Sequence, residues 1–186
     1  MTPLPPNSTA RPAVFLDRDG TIAIDPGYQR DPSKVALFPG AAAAIARLNS
    51  AALPVIMVTN QSGIARGKLT ENDYRGVARR VEELLAAGGA RIDATYFCPH
   101  LPGECECRKP GLALFQQAIL QHQLDPARSW WVGDKISDLL PAATWSGRGI
   151  LVETGEGPDH HAEAIANGFE VAADLAAAVE TILAAP

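Results

Sequence analysis

Asp17 and Asp19 stand two residues apart, directly after the apolar run Val14-Phe15-Leu16 and just before Gly20-Thr21. Two carboxylates this close repel unless a cation lies between them. Mg2+ is a suitable one, since it takes one or two carboxylates together with phosphate and water oxygens. Both acids reach one site only if the chain bends after Asp17, and Gly20 permits that bend. A strand followed by an ordinary Asx-type turn would carry the same residues. A second group with chemistry in it is Cys98, His100, Cys105 and Cys107, which include all three cysteines of the chain. An odd, clustered set of cysteines points to metal rather than to disulfides. Cys-x-His followed by Cys-x-Cys supplies four donors and leaves no open position, the pattern of a structural Zn2+. The alternative is burial of the thiols as small apolar side chains, for which a loop of Pro, Gly and Glu is a poor setting.

The elements that must position these groups alternate between strand and helix. Val14–Leu16 is short and preceded by Pro12, and reads as a buried strand. Residues 22–38 read as a loop over the site, and a helix runs from Pro39-Gly40 to about Ala52. Val55–Val58 is a second buried strand, ending in Thr59-Asn60-Gln61-Ser62-Gly63. Thr70 and Asp73 form an approximate capping box for the next helix, which stops at Gly88-Gly89. Residues 92–97 form a strand, 112–122 a helix and 130–132 a strand that ends in Gly133-Asp134-Lys135. Residues 137–145 form a short helix, 149–152 a strand, 160–167 a helix and 169–171 a last strand, with Asp174 capping a final helix. This order predicts an α/β fold, a mainly parallel sheet covered by helices on both faces.

A parallel sheet brings the carboxyl ends of its strands to one edge, where ligands bind. That edge gathers Asp17, Asp19, Thr59, Asn60, the pair Arg108-Lys109 and Asp134. Three acids suit Mg2+, while a hydroxyl, backbone N–H groups and an ammonium suit phosphate oxygens. Phosphoryl transfer needs an in-line nucleophile and positive charge around the equatorial oxygens. An aspartate can be that nucleophile, through an acyl phosphate that water then hydrolyses.

The 186 residues suit one domain, and the formal net charge of −5 comes with no basic run, so the sequence carries no nucleic-acid footprint. No stretch reaches the length of a membrane span. Residues 1–12 lack the charged start and apolar middle of a signal peptide. They read as a disordered tail, followed by a single domain over 13–186 in a cytoplasmic, monomeric protein. Trp130 and Trp131 read as packing at a sheet edge. Asp138, one turn beyond Asp134, is either a partner for Lys109 or a helix N-terminal acid.

The ordered set Asp17-x-Asp19-Gly20-Thr21, Thr59-Asn60, Lys109 and Gly133-Asp134-x-x-x-Asp138 resembles the four motifs of the haloacid dehalogenase (HAD) superfamily, across nearly the whole chain after the tail. The resemblance implies a Rossmann-like fold with Asp17 as nucleophile and Asp19 as general acid and base. It implies that Thr59 and Lys109 hold the transferring phosphoryl group. Asp17, the backbone carbonyl of Asp19 and Asp134 are then the Mg2+ ligands. The second acid favours a phosphatase over a dehalogenase. Leu16-Asp-Arg-Asp-Gly-Thr-Ile22, Asp25-Pro-Gly-Tyr28, Val58-Thr-Asn-Gln-Ser-Gly63, Cys98-Pro-His100 and Cys105-Glu-Cys-Arg-Lys-Pro110 further resemble the D-glycero-D-manno-heptose 1,7-bisphosphate 7-phosphatases. That group implies a small sugar phosphate as substrate, in the making of an activated heptose for lipopolysaccharide core or another glycan. It implies a substrate site lined by Asp25, Gly27, Tyr28, Asn60, Gln61, Ser62, Arg108 and Lys135, with Arg66 a further cation for a second phosphate. The loop between His100 and Cys105 is shorter than in some members.

No interval has room for a large cap domain, so the site is expected to be open. Histidinol-phosphate phosphatases resemble the chain next best, with Asp25 and Glu104 as groups for a substrate ammonium. A reading from another class is a catalytically silent, zinc-stabilised binding module on the same scaffold. The intact Asp19 argues against it, because a binder has no use for a second acid.

Overall fold

The computed structural model describes residues 10–185. The strands among them are β1 (Val14–Leu16), β2 (Val55–Asn60), β3 (Ala94–Cys98), β4 (Trp130–Gly133), β5 (Arg148–Val152) and β6 (Glu170–Ala172). The helices are α1 (Ala41–Ser50), α2 (Glu71–Ala87), α3 (Ala113–His122), α4 (Ile136–Thr144), α5 (Gly157–Ala166) and α6 (Leu175–Ala184). All strand pairings are parallel, in the order β3-β2-β1-β4-β5-β6. The chain winds outward from β1 through β2 and β3, returns to β4 on the other side of β1, and winds outward again. The carboxyl ends of β1 and β4 therefore flank the point where the order reverses, the place at which open α/β sheets bind ligands. The register Leu16↔Val132 sets Asp17 next to the Gly133-Asp134 turn, and Asp17 N donates to Val132 O at 3.0 Å.

The strands are apolar at nearly every position because both faces are covered. Val14, Leu16, Val55, Met57, Val132 and Ile150 pack under α1, α2 and α6, against Ile45, Leu48, Val81, Leu85 and Val179. The alternate residues Phe15, Ile56, Val58 and Trp131 pack under α3 and α4, against Phe115, Ile119 and Ala142. Leu151 meets Leu139 and Ala164 of α4 and α5. Trp131 stacks on Phe15 at 4.7 Å between ring centroids and on Trp145 at 5.8 Å. The tryptophans do pack, yet not at a sheet edge: β4 lies between β1 and β5.

The expected caps hold. Thr70 and Asp73 form a reciprocal capping box, and the Asp174 side chain accepts from Ala177 N at 2.9 Å. Boundaries differ where local signals compete with tertiary contacts. Strand β3 begins at Ala94 and includes Cys98, whose buried side chain belongs to the core under α3. Helix α5 starts at Gly157, three residues ahead of expectation, with Pro158 in its first turn. Residues 22–38 are only partly a surface loop: Ile22 and Ala23 are buried in the core, and a 3-10 turn occupies Pro32–Lys34. Of the expected tail, residues 1–9 lie outside the described part. Residues 10–12 are joined to the fold, since Asp125 N donates to Arg11 O at 2.9 Å and Arg128 to Ala10 O at 2.7 Å. Only this bridged loop separates β1 from α1, and only α2 lies between β2 and β3, so among the described residues no large cap covers the edge. Among the described residues no helix is long and apolar enough to cross a membrane.

Candidate active site

Asp17 leaves β1 at the switch point and is almost fully buried. One of its oxygens, Oδ1, accepts from Lys109 Nζ at 2.6 Å. The same ammonium reaches Val58 O at 2.6 Å and Asp138 Oδ1 at 2.8 Å. Lys109 arrives on the loop after β3, and its position is set by its neighbour in the sheet. Asn60, the last residue of β2, accepts from Lys109 N at 3.0 Å and donates to Lys109 O at 3.2 Å. Asp138 has two partners, because its other oxygen accepts from Lys135 N at 3.0 Å at the start of α4. Both sequence readings of this residue therefore hold together. Burial alone would depress the Lys109 pKa, but Asp138 and Asp17 outweigh it and hold the ammonium charged, above its ordinary range.

Asp134 follows β4, and its carboxylate lies in a cradle of backbone. Gly20 and Gly155 both have positive φ, and a Cβ on either would overlap the Asp134 carboxylate. Glu156 N donates to Asp134 Oδ2 at 2.9 Å, and the loop is tied down by Thr154 Oγ1 donating to Gly20 O at 2.6 Å. Asp134 Oδ1 is buried with no hydrogen-bond partner. Asp17, Asp134 and Asp138 each offer an oxygen, all within 4.8 Å of one another. Burial pushes the Asp17 carboxyl up to about 8, with Lys109 opposing and the neighbouring acids adding. Burial likewise raises Asp134 to about 7. A single ammonium does not balance this acidic floor. A hard divalent cation between Asp17 and Asp134 would, and the orphaned Asp134 Oδ1 is where it would bind.

Above the floor opens a cavity of about 480 Å3. It brings together all the expected catalytic and substrate-lining residues: Asp17, Asp19, Thr59 and Lys109 below, and Asp25, Gly27, Tyr28, Asn60, Gln61, Ser62, Arg108 and Lys135 around them. Tyr28, in a left-handed conformation, lays its ring against Gly63, where a Cβ would collide with it. Arg66 and Arg108 line the cavity, and Arg108 Nη1 is buried without a partner. Lys135 pairs with Glu156 at 2.7 Å. Asn60 and Gln61 have partners within the protein. Asn60 clamps the Lys109 backbone, and Gln61 Nε2 donates to Asp19 Oδ2 at 2.7 Å and to Thr59 Oγ1 at 2.9 Å.

Glu156 and Arg18 were missed from the sequence, and for different reasons. Glu156 follows β5, and the strand-end argument applied to β5 would have reached it. No signal in the sequence marks Arg18, whose buried side chain becomes visible only once α2 is packed behind it.

The second donor set lies beside the cavity. His100 Nδ1 is 3.7 Å from Cys98 Sγ and 3.3 Å from Cys107 Sγ, and Cys105 Sγ is 3.5 Å from Cys98 Sγ and 3.1 Å from Cys107 Sγ. All three cysteines are free thiols. Four donors this close form the corners of a site for one soft tetrahedral ion.

Comparison with known proteins agrees with this geometry. The HAD-hydrolase-like family model matches residues 106–178. A D-glycero-beta-D-manno-heptose-1,7-bisphosphate 7-phosphatase of Haemophilus ducreyi is 42% identical over 77% of this chain and 84% of its own. A D-glycero-D-manno-heptose-1,7-bisphosphate 7-phosphatase of Thermosynechococcus vestitus is 40% identical over 92% of this chain and 95% of its own. The crystal structure of the D,D-heptose 1,7-bisphosphate phosphatase of B. bronchiseptica, complexed with magnesium and phosphate, superposes with a TM-score of 0.86. It is 35% identical and covers 92% of this chain and 98% of its own. With its acids gathered at the switch point of a capless sheet, and with these relatives, the chain belongs to the HAD-type phosphatases, in the D-glycero-D-manno-heptose-1,7-bisphosphate 7-phosphatase family.

Proposed function

We propose that this enzyme removes the 7-phosphate of D-glycero-beta-D-manno-heptose 1,7-bisphosphate through an aspartyl phosphate on Asp17. The observation that carries the reading is the placement of Asp17. Its carboxylate lies at the base of an open cavity, held on one oxygen by Lys109, with a second, separately held carboxylate, Asp19, lining the same cavity. Asp17 attacks phosphorus as the bond to the sugar oxygen breaks, and Asp19 gives its proton to that leaving oxygen. The Asp19 carboxylate then takes a proton from water as the water oxygen attacks the phosphorus, which releases inorganic phosphate and restores Asp17. Lys109 and Thr59 hold the transferring group, and the ammonium offsets its charge.

Asp17, Asp134 and the backbone carbonyl of Asp19 would hold Mg2+, which supplies positive charge to the phosphoryl oxygens when bound. Cys98, His100, Cys105 and Cys107 would hold Zn2+ as a structural ion, and Arg108 and Lys109 follow directly on the last of these ligands. The unpartnered Arg108 Nη1, together with Arg66, supports recognition of the second phosphate at the rim. We take the chain to work as a cytoplasmic monomer, since one chain supplies every group named here.

The test is phosphate release with Mg2+ from both anomers of the heptose bisphosphate, beside histidinol phosphate and fructose 1,6-bisphosphate. A kcat/KM for the beta anomer several decades above the others is expected. A flat profile would contradict the substrate, and a preference for histidinol phosphate would replace it.

A further inference from the structure

Arg18 is a buried arginine beside the reacting groups for which the mechanism above has no use. Its side chain is only 2% exposed. Nε donates to Asp19 Oδ1 at 2.8 Å and Nη2 to Asp19 Oδ2 at 2.7 Å, the two-pronged geometry that a guanidinium offers a carboxylate. Behind it lies the ring of Tyr74 from α2, with its centroid 5.4 Å from the guanidinium carbon. Gln61 adds a third donor to Asp19, also at 2.7 Å, and through Thr59 ties that donor to the end of β2. A carboxylate has about four lone-pair positions. Three are taken here, so Asp19 cannot swing freely, and its remaining acceptor position is on Oδ1.

We propose that Arg18 is the positioning residue for Asp19: it fixes the carboxylate in one orientation above the Asp17 floor, so that the proton delivered to the leaving oxygen is always presented from Oδ1. Gln61 supports the same orientation by donating to Oδ2 as well. A neutral side chain in place of Arg18 leaves Asp19 able to rotate toward the acidic floor or out to solvent, with the acid present but misdirected. This inference rests on the reading of Asp19 as general acid.

Positioning of an acid and general damage to the fold are separated by the leaving group. A sugar alkoxide must be protonated as it departs, whereas 4-nitrophenolate leaves without help. General acid catalysis contributes about 10²–10⁴-fold. Arg18→Met is therefore expected to lower kcat/KM for a sugar phosphate by about 10²-fold, and for 4-nitrophenyl phosphate by less than about 3-fold. Arg18→Lys, which keeps the charge but not the two-pronged fork, should recover part of the loss on the sugar phosphate. Arg18→Gln, a milder change that keeps an amide donor, should show the same split at smaller size, and carries the test should Arg18→Met not fold. Equal losses on the two substrates, or no loss on either, would overturn the proposal. Asp19→Asn, measured on the same pair, distinguishes the two levels. If it shows the split and the Arg18 variants do not, positioning by Arg18 is wrong and the acid assignment stands. If Asp19→Asn shows no split, the acid assignment itself is wrong.

Discussion

Among the described residues lie two clusters of metal-ligating side chains, and they are built in opposite ways. Asp17, Asp134 and Asp138 come from the ends of β1 and β4 and the first turn of α4, and all are buried. Their positions are dictated by the sheet register and by two glycines that leave room for a carboxylate. Asp134 keeps one oxygen unpartnered, and Asp17 and Asp138 face an open cavity. Cys98, His100, Cys105 and Cys107 come from one strand end and the loop after it, and only Cys98 is buried. That loop is tied to the sheet at Lys109 by Asn60, and its four donors close on each other. An open oxygen cluster on a rigid frame suits a reaction, since positions remain for substrate. A closed sulfur and nitrogen cluster on a loop suits a staple. Lys109 belongs to both regions: it sits two residues after Cys107, and its ammonium lies in the acidic floor.

The largest effect that would sharpen this contrast is on the floor. Asp17→Asn should lower turnover by at least about 10⁴-fold, as loss of a covalent nucleophile does. The melting temperature should change little, because the amide keeps the shape and removes a charge from a crowded acidic cluster. Turnover within tenfold of the parent would break the assignment. Lys109→Met comes next and should differ in kind. It leaves Asp17 and Asp138 buried without their cation, and removal of one partner from a buried pair costs about 3–5 kcal/mol. Activity and melting temperature should fall together, and a stable, inactive Lys109→Met would show that the ammonium is catalytic without being structural.

The staple should give the reverse pattern. Removing the metal from the cysteine cluster, with Mg2+ kept in excess, should lower stability by about 3 kcal/mol, or roughly 6–12 °C in melting temperature. Activity should follow as Lys109 loses its anchor. A melting temperature unmoved by chelation would contradict the structural role. Asn60→Ala is the mildest change. It removes the side chain that clamps the Lys109 backbone and should cost about 1–3 kcal/mol. The heavier effect should be on kcat rather than KM, because the clamp orients Lys109 and makes no call on the substrate's binding groups. A pure KM effect would instead favour direct contact of Asn60 with substrate.

The frame was legible in the sequence because its signals are local. Buried parallel strands are short apolar runs such as Val55–Val58, and helix starts carry their own caps, as Thr70 and Asp174 do. The site was legible because a parallel sheet sends every strand end to one edge, so that polar residues after β1, β2 and β4 had to meet. What escaped has a nonlocal cause. The clamp of Asn60 on Lys109 joins residues 49 apart, and the fork of Arg18 on Asp19 is adjacent in sequence yet depends on Tyr74 in α2 behind it. Helix α5 began early because Pro158 marks a first turn that the expected start at His160 overlooked. The tail was drawn too long because the contacts of Arg11 with residues 123–125 leave no trace in its own neighbourhood.

The central claim is that Asp17 becomes phosphorylated during turnover, and it can be read directly. The enzyme is mixed with the heptose bisphosphate and Mg2+, quenched rapidly and treated with borohydride, which reduces an acyl phosphate to an alcohol. Peptide masses should place homoserine at position 17 and nowhere else, and only when substrate was present. An unmodified Asp17, together with an Asp17→Asn variant that still turns over at the parent rate, would contradict the account.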